Sequence, residues 1–584
     1  MKSFLLLKDF FRKNAWRYGL GVLWLVIVNS AQLIIPYLLG YITDQIEAGQ
    51  VSTADLWRFA GYVLAIAAVI VVSRYFWRIY IMGTARILEF HLRDMLFSHL
   101  QKLSANFYNE HKTGDLMAHA TNDVNAVRMA LGLGIIMLTD SIFLTVATVI
   151  IMTQVIDIRL TALALLPLPF MAMLVTFAGR LIHDRFKAVQ AAFSDMTDRV
   201  QENLSGIRVI KTFVQEDAEV ERFDQVARGL VYKNMALVKV WGLFMPLVQF
   251  ISGLSYLVVL GYGGILVIEG SITLGAFVAF NTYLAMLIWP MMALGWVINV
   301  LQRGASSMER LKVLLETEPE VVDRPDVKEV DRLKGELEVR NLDFSYPDGT
   351  AVLEDINIKL PRGNTLAIIG RTGSGKSTLA NLLLRLYDPP TGRIFIDGID
   401  INRIPLEVLR RDIGYVPQDV FLFSATLHEN IAFADDSLTR EQVEEAAKLA
   451  QIYDNIVEFP RKFDTLSGER GVTLSGGQKQ RMTIARALIK NPSLLILDDC
   501  LSAVDTGTEE QILKGLRRFM AGRSSIIISH RVSTVQNADE IIVMDRGRIV
   551  ERGTHEELLK TVDGLYRQLH HKQQLEKLIA EDRG

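Results

Sequence analysis

The run Gly370-Arg371-Thr372-Gly373-Ser374-Gly375-Lys376-Ser377-Thr378 combines residue types and spacing that suit one chemistry. It follows the apolar LAIIG and precedes LANLLLRLY, the strand–loop–helix context in which G-x-x-x-x-G-K-[ST] holds phosphate. Glycines at 370, 373 and 375 let the backbone wrap closely, so that successive N–H groups point at phosphate oxygens. Lys376 adds a mobile cation for the β- and γ-phosphates, and Ser377 a hydroxyl ligand for Mg2+. Further on, Leu494-Leu495-Ile496-Leu497-Asp498-Asp499 reads as an apolar strand ending in two carboxylates. Asp498 suits Mg2+ held through water, and Asp499 stands where a base would polarise an attacking water. Nucleotide binding and hydrolysis is the chemistry these groups fit.

The elements that must position them lie in the second half of the chain. From about residue 337, short β-rich runs (LEVRNLDFSY, TLAIIG, LLILD, SSIIIS, EIIVM) alternate with helical segments, the pattern of an α/β domain with a mainly parallel sheet. This domain is expected over 337–575, followed by a polar helical tail, 576–584. It is preceded by a charged, proline-containing linker, 316–336.

The first half, 1–315, is of another kind. Six apolar runs, near 19–43, 59–83, 130–155, 158–182, 243–268 and 273–299, are long enough to cross a bilayer. Lys2, Lys8, Arg12, Lys13 and Arg17 precede the first and place the N-terminus in the cytoplasm. The connections after the second and fourth runs are also basic, with Arg86, Arg93, Lys102, Lys112 and Arg128 in one and Arg185, Lys187, Arg199, Arg208 and Lys211 in the other. Both are long, from roughly 84 to 128 and 183 to 240, and their helical periodicity predicts that the spans continue well into the cytoplasm. The basic, amphipathic opening SFLLLKDFFRKNAWRYG is expected to lie along the inner interface before the first crossing. The whole composition agrees: 50% hydrophobic residues, 22% charged and a mean hydropathy of +0.23 exclude a disordered or coiled-coil chain. With 63 basic against 66 acidic side chains no global field recruits a nucleic acid, and one cysteine, Cys500, excludes an intramolecular disulfide framework.

Leu474-Ser475-Gly476-Gly477-Gln478, followed by KQR, reproduces the signature of ABC ATPases, and the chain resembles a half-transporter of the ABC exporter class over almost its whole length. The fold that the resemblance implies is an α-helical transmembrane domain of six spans with long cytoplasmic extensions (type IV ABC exporter) joined to an α/β P-loop nucleotide-binding domain. Tyr346 in FSYPDG resembles the aromatic that stacks on adenine. Gln418 in YVPQD resembles the glutamine that contacts Mg2+ and the attacking water, and His530 in SHR resembles the switch histidine at the γ-phosphate. Gly468-Glu469-Arg470-Gly471 resembles the exporter loop before the signature, and Ser502-Ala503-Val504-Asp505 the loop after the acidic strand. Phe107-Tyr108 and Thr113-Gly114-Asp115 match the exporter pattern in the first cytoplasmic connection. In this family each ATP lies between the P-loop of one cassette and the signature of another. Ser475, Gly476, Gly477 and Gln478 are then expected at the nucleotide of a partner cassette, and the working unit is a dimer.

The sequence departs from the family at one position. Where most active exporters carry glutamate after the strand-closing aspartate, this chain has Asp499, whose carboxylate ends ~1.5 Å shorter along the side chain. A shift of about 1 Å at a reacting centre can cost about a hundredfold in rate. The pattern resembles the degenerate-site, BmrC-like subunit of heterodimeric bacterial multidrug exporters, paired with a different chain that carries the catalytic glutamate. A homodimer using aspartate as a slower base, or a mainly regulatory ATP-binding subunit, are the other readings. The resemblance places the chain in the bacterial plasma membrane, with the ATPase domain cytoplasmic.

The cargo is less legible. Span six carries the thioether- and indole-rich face Met286, Trp289, Met291, Met292 and Trp296, suited either to adaptable apolar binding or to ordinary packing. Asp140 in span three could meet a cation or sit at a wet end of the span; Arg74 and Arg78 in span two could line a hydrated cavity or reach the interface. Amphipathic, drug-like compounds are the expected cargo, with lipid or peptide as the second possibility. His555-Glu556 and His570-His571 lack the spacing of a zinc site, so no zinc is expected.

Overall fold

The computed structural model describes residues 2–435, 437–468, 474–501 and 506–581. The chain forms two units, one of residues up to Gln101 with Lys112–Thr317, the other of Lys102–His111 with the residues from Glu318 onward.

In the first unit six helices are long and apolar enough to cross a membrane: Ser3–Glu47, Thr53–Leu100, Thr113–Ile156, Ile158–Ser205, Glu216–Ile268 and Leu274–Leu315. They run past the apolar stretches because the flanking polar sequence keeps helical periodicity and offers no breaker. Backbone pairing within each helix is also what a hydrocarbon environment requires. The opening segment departs from expectation. Only Lys2–Leu7 forms a separate 3-10 turn, and residues from Lys8 continue the first span without a break. Leu7 and Phe10 are buried against protein, so this end is tied to the bundle rather than lying free along the interface.

Close helix crossings shape this unit. Spans one and six approach so nearly at Gly275 that a Cβ there would sit 1.9 Å from the Gly40 carbonyl oxygen. At the same crossing the Asp44 carboxylate accepts from the Gly275 N–H at 2.6 Å and from the Thr273 hydroxyl at 2.8 Å, closing the start of the sixth helix. The basic residues of the first cytoplasmic connection are not a loose charged surface. Arg86, Arg93 and Arg128 all pair with the buried Glu89, at 2.8, 2.8 and 3.3 Å, joining the extensions of spans two and three.

The second unit holds two sheets. Strands β3 (Thr365–Gly370), β6 (Ile413–Val416), β7 (Leu494–Asp498), β8 (Ser524–Ser529), β9 (Glu540–Asp545) and β10 (Arg548–Gly553) form one in the order β10-β9-β3-β8-β7-β6. All its neighbours are parallel except β9 and β10. Strands β7 and β8 are buried at every residue, which is why they read as unbroken apolar or small-residue runs. LEVRNLDFSY belongs elsewhere. It forms β1 (Leu337–Ser345) of a separate antiparallel sheet, β2-β1-β4-β5, with β2 (Ala351–Leu360), β4 (Ile394–Ile396) and β5 (Ile399–Asp400). Its inward residues Leu337, Val339, Leu342 and Phe344 are buried while most of those between them are not, the signature of a strand with one wet face.

The linker residues from Glu318 are bound into this unit. Arg385, with a fully buried side chain, donates to the Val322 carbonyl at 3.1 Å and pairs with Asp388 at 2.9 Å. Removing one partner of a buried pair leaves the other uncompensated. Arg385→Ala is expected to destabilise this unit by about 3 kcal/mol. A chemical-denaturation midpoint of the purified chain unchanged from wild type would contradict that weight.

Candidate functional site

Strand β3 ends at Gly370, and the loop returns through Gly375, whose φ of +92° is comfortable only for glycine, into the helix Lys376–Leu383. The Lys376 side chain folds back over its own loop, donating to the carbonyls of Gly370 (3.0 Å) and Arg371 (2.7 Å) and to the Ser374 hydroxyl (3.2 Å). Burial pushes its ammonium below the usual lysine range, and the carboxylates of Asp498 and Asp499 oppose that shift. These loop carbonyls are weak partners that phosphate oxygens can displace.

Asp498 closes β7 and is 2% exposed. Burial raises its carboxyl above the ordinary range, a hydrogen bond with Ser377 pulls it back, and the neighbouring Asp499 charge raises it again. Ser377 and Asp498 therefore present two hard oxygens side by side, a donor set that fits Mg2+. Asp499 is half-buried with a φ of +43°, a left-handed conformation that aspartate tolerates better than most residues. Its N–H donates to the Ile528 carbonyl of β8 at 2.8 Å. Cys500 is buried and its thiol is pushed up to about 12 by that burial, so it offers no thiolate beside the carboxylates.

His530 follows β8 directly and Gln418 lies two residues beyond β6. Because β3, β8, β7 and β6 are consecutive and parallel, their carboxyl ends share one edge. That edge gathers the P-loop, His530, the aspartate pair and Gln418, the place where open α/β sheets take ligands. Tyr346, just past β1, joins them through its hydroxyl, 3.0 Å from Thr378 Oγ1. Its ring stands edge-on to Tyr387 at 5.1 Å, and the Tyr387 hydroxyl accepts from Asn109 at 2.6 Å. Asn109 sits on a short helix, Ala105–Glu110, of the first cytoplasmic connection, with Phe107 buried and stacked on His111.

Ser475 stands apart from this edge. It caps the helix Gly476–Leu488 in a reciprocal box, its hydroxyl accepting from Gln478 N (3.3 Å) while Gln478 Oε1 accepts from Ser475 N (2.9 Å). That helix packs on β6 and on the helices beyond it, whereas the P-loop helix packs on β3 and β7. The first turn, Gly476-Gly477, leaves amide N–H groups without intrahelical acceptors, as an anion site needs. Of the loop before it Gly468 is described, but Glu469, Arg470 and Gly471 lie outside the described residues, as do Ser502, Ala503, Val504 and Asp505.

Two residues without a motif also belong to the site. Arg486 of the signature helix donates to the carbonyls of Asn430 (2.7 Å) and Phe421 (2.9 Å), tying that helix to the segment after Gln418. Gln573, on the C-terminal helix Leu565–Glu581, braces the loop that carries His530. Its amide donates to the His530 carbonyl at 2.6 Å, and its oxygen accepts from Val532 N at 2.8 Å. Nothing in the local sequence singles Gln573 out, since its partners are backbone groups of a distant loop. Gln573→Ala is expected to lower turnover at this chain's own site about tenfold while nucleotide affinity stays nearly constant, because it frees the loop carrying His530 rather than the phosphate loop. Steady-state kinetics showing a raised KM with kcat unchanged would contradict it.

Comparison with known proteins agrees with this geometry. Residues 18–291 match the family model described as ABC transporter transmembrane region, and residues 353–502 the one described as ABC transporter. The chain is 42% identical over 579 residues to the probable multidrug resistance ABC transporter ATP-binding/permease protein YheI of Bacillus subtilis, covering 98% of both chains. It is 40% identical to the multidrug resistance-like ATP-binding protein MdlA of Escherichia coli, covering 100% of this chain and 98% of that one. The structure of a bacterial Atm1-family ABC exporter with ATP bound superposes with a TM-score of 0.77 at 29% identity, over 96% of this chain and 98% of that one. With six membrane helices and a P-loop cassette in one polypeptide, the chain belongs to the ABC transporter family, as a multi-pass exporter of the bacterial plasma membrane whose cassette is an ATPase.

Proposed function

We propose that this chain is one half of a heterodimeric exporter that moves amphipathic, drug-like compounds out of the cytoplasm, and that its own catalytic site is the weak one. The observation that carries the asymmetry is Asp499, an aspartate where the exporter pattern that this chain resembles has the longer glutamate. The names of YheI and MdlA, both tied to multidrug resistance, support the drug-like cargo.

Each residue then has a part. Tyr346 stacks on adenine. The P-loop amides from Gly370 to Thr378 hold the α- and β-phosphates, and Lys376 exchanges its loop carbonyls for the β- and γ-phosphates. Ser377, Asp498 and Gln418 would hold Mg2+, the aspartate and glutamine through water, and the ion would supply positive charge to the phosphate oxygens. Asp499 orients the attacking water from too far back, and His530 contacts the γ-phosphate. Ser475, Gly476, Gly477 and Gln478 complete the partner's competent site, their helix-start N–H groups facing its γ-phosphate.

The test is steady-state ATPase activity of the chain purified alone and with a co-purifying second half-transporter. The heterodimer reading expects little activity alone and robust activity in the pair. Robust Mg2+-dependent hydrolysis by the single chain, abolished by Lys376→Ala, would instead establish a homodimer.

A further inference from the structure

Spans one, two, three and six enclose a cavity of about 270 Å³. Its wall segments, around Asn29, Arg74 to Arg78, Asp140 and Trp289, each fall in the cytoplasmic half of their span, given the orientation set by the basic N-terminus. Arg74 and Arg78 lie one helical turn apart, both exposed, and among the described residues neither forms an ion pair. Two cations so placed repel each other, and a charged side chain at bilayer depth is costly unless it is paired or hydrated. At the same point the helix widens into a π-turn, Arg78–Met82, a distortion frequent at functional sites.

The rest of the wall supplies an amphipathic complement. The Trp77 indole N–H is buried without a hydrogen-bond partner among the described residues, and Trp289 is 68% exposed. Asp140 is held in place by Asn29, whose buried amide donates to it at 2.8 Å. Counting these three charges, the cavity carries a net +1. Arg78 lies over the Trp77 ring at 5.5 Å and Arg74 faces the Asp140 carboxylate, but among the described residues neither has a carboxylate within salt-bridge distance. A single acidic group placed between them satisfies both with charge-assisted hydrogen bonds, whereas a cationic amphipath is repelled.

We propose that this cavity is the headgroup subsite for an amphipath bearing one acidic group, the acid held by Arg74 and Arg78 and the apolar body lying along Trp289. The inference rests on the exporter reading and narrows its cargo. Carboxylate and phosphate share the required chemistry, so the ligand's source is either a free amphipathic acid or an anionic phospholipid of the inner leaflet.

The experiment uses the transporter, with any half-transporter that accompanies it, in phosphatidylcholine nanodiscs. A dansyl fatty acid and a dansyl alkylammonium of equal chain length serve as probes. Binding of the acid is expected to weaken at least about tenfold in Arg74→Gln and in Arg78→Gln, the loss of one charged hydrogen-bonding partner, with recovery in Arg74→Lys. Asp140→Asn should act in the opposite sense and tighten it. Competition by added phosphatidylglycerol would assign the subsite to a lipid phosphate, and its absence to a free acid. Preferential binding of the alkylammonium, weakened by Asp140→Asn and indifferent to the arginines, would overturn the proposal. Failure of the exporter reading is seen separately, as the absence of ATP-dependent movement of either probe in inside-out vesicles.

Discussion

In the assembled transporter, Ser475→Arg is expected to remove nearly all ATP turnover, while Lys376→Ala in the same chain leaves a substantial fraction. The reason is the crossing of sites in the proposed pair. Ser475 begins the helix whose free N–H groups face the partner's γ-phosphate, and an arginine there puts bulk and charge into a contact that works only within about half an ångström. Loss of the helix cap itself costs about 1 kcal/mol, too little to unfold the cassette, so a larger fall in rate reports the partner's site. Lys376→Ala deletes a phosphate contact at what is, in that proposal, the slowly hydrolysing site. Steady-state ATPase of both variants in the co-expressed pair decides the matter. Equal losses, or a milder effect of Ser475→Arg, would mean equivalent sites and would undo the asymmetry drawn from Asp499.

Asp499→Glu should raise hydrolysis at this chain's own site by roughly tenfold to a hundredfold, since it restores ~1.5 Å of carboxylate reach. A modest stability loss should accompany the gain, because the left-handed backbone at this position suits aspartate better than glutamate. Asp499→Asn should change transport little. Single-turnover hydrolysis with the partner's site disabled measures the first effect directly. A transporter halted by Asp499→Asn would show that this aspartate is already the working base.

The sequence by itself determined the two halves of this protein and the nucleotide edge of the second. Twenty-residue apolar runs have few alternatives to crossing a bilayer, and the phosphate loop is contiguous, so its chemistry is written in adjacent residues. The buried strands β7 and β8 were legible for the same reason, an unbroken apolar or small-residue run between polar helices. Where the sequence misled, the missing term was long-range. The pairing of β1 with β2 and β4 rather than with the parallel sheet depends on partners far along the chain. The continuity of the first helix through its basic opening depends on Leu7 and Phe10 being buried by other segments.

Only the tertiary structure decided which isolated polar residues act together. Arg385 reads as one more surface arginine until the linker folds over it, and Gln573 as one more polar helix residue until its amide meets the backbone on both sides of Arg531. Arg74, Arg78 and Asp140 were three ambiguous charges on two spans; the helix packing brought them to one cavity with Asn29 and Trp289. Local patterns reflect the neighbours a residue has along the chain, whereas a charge inside a membrane takes its meaning from what the other helices place across from it.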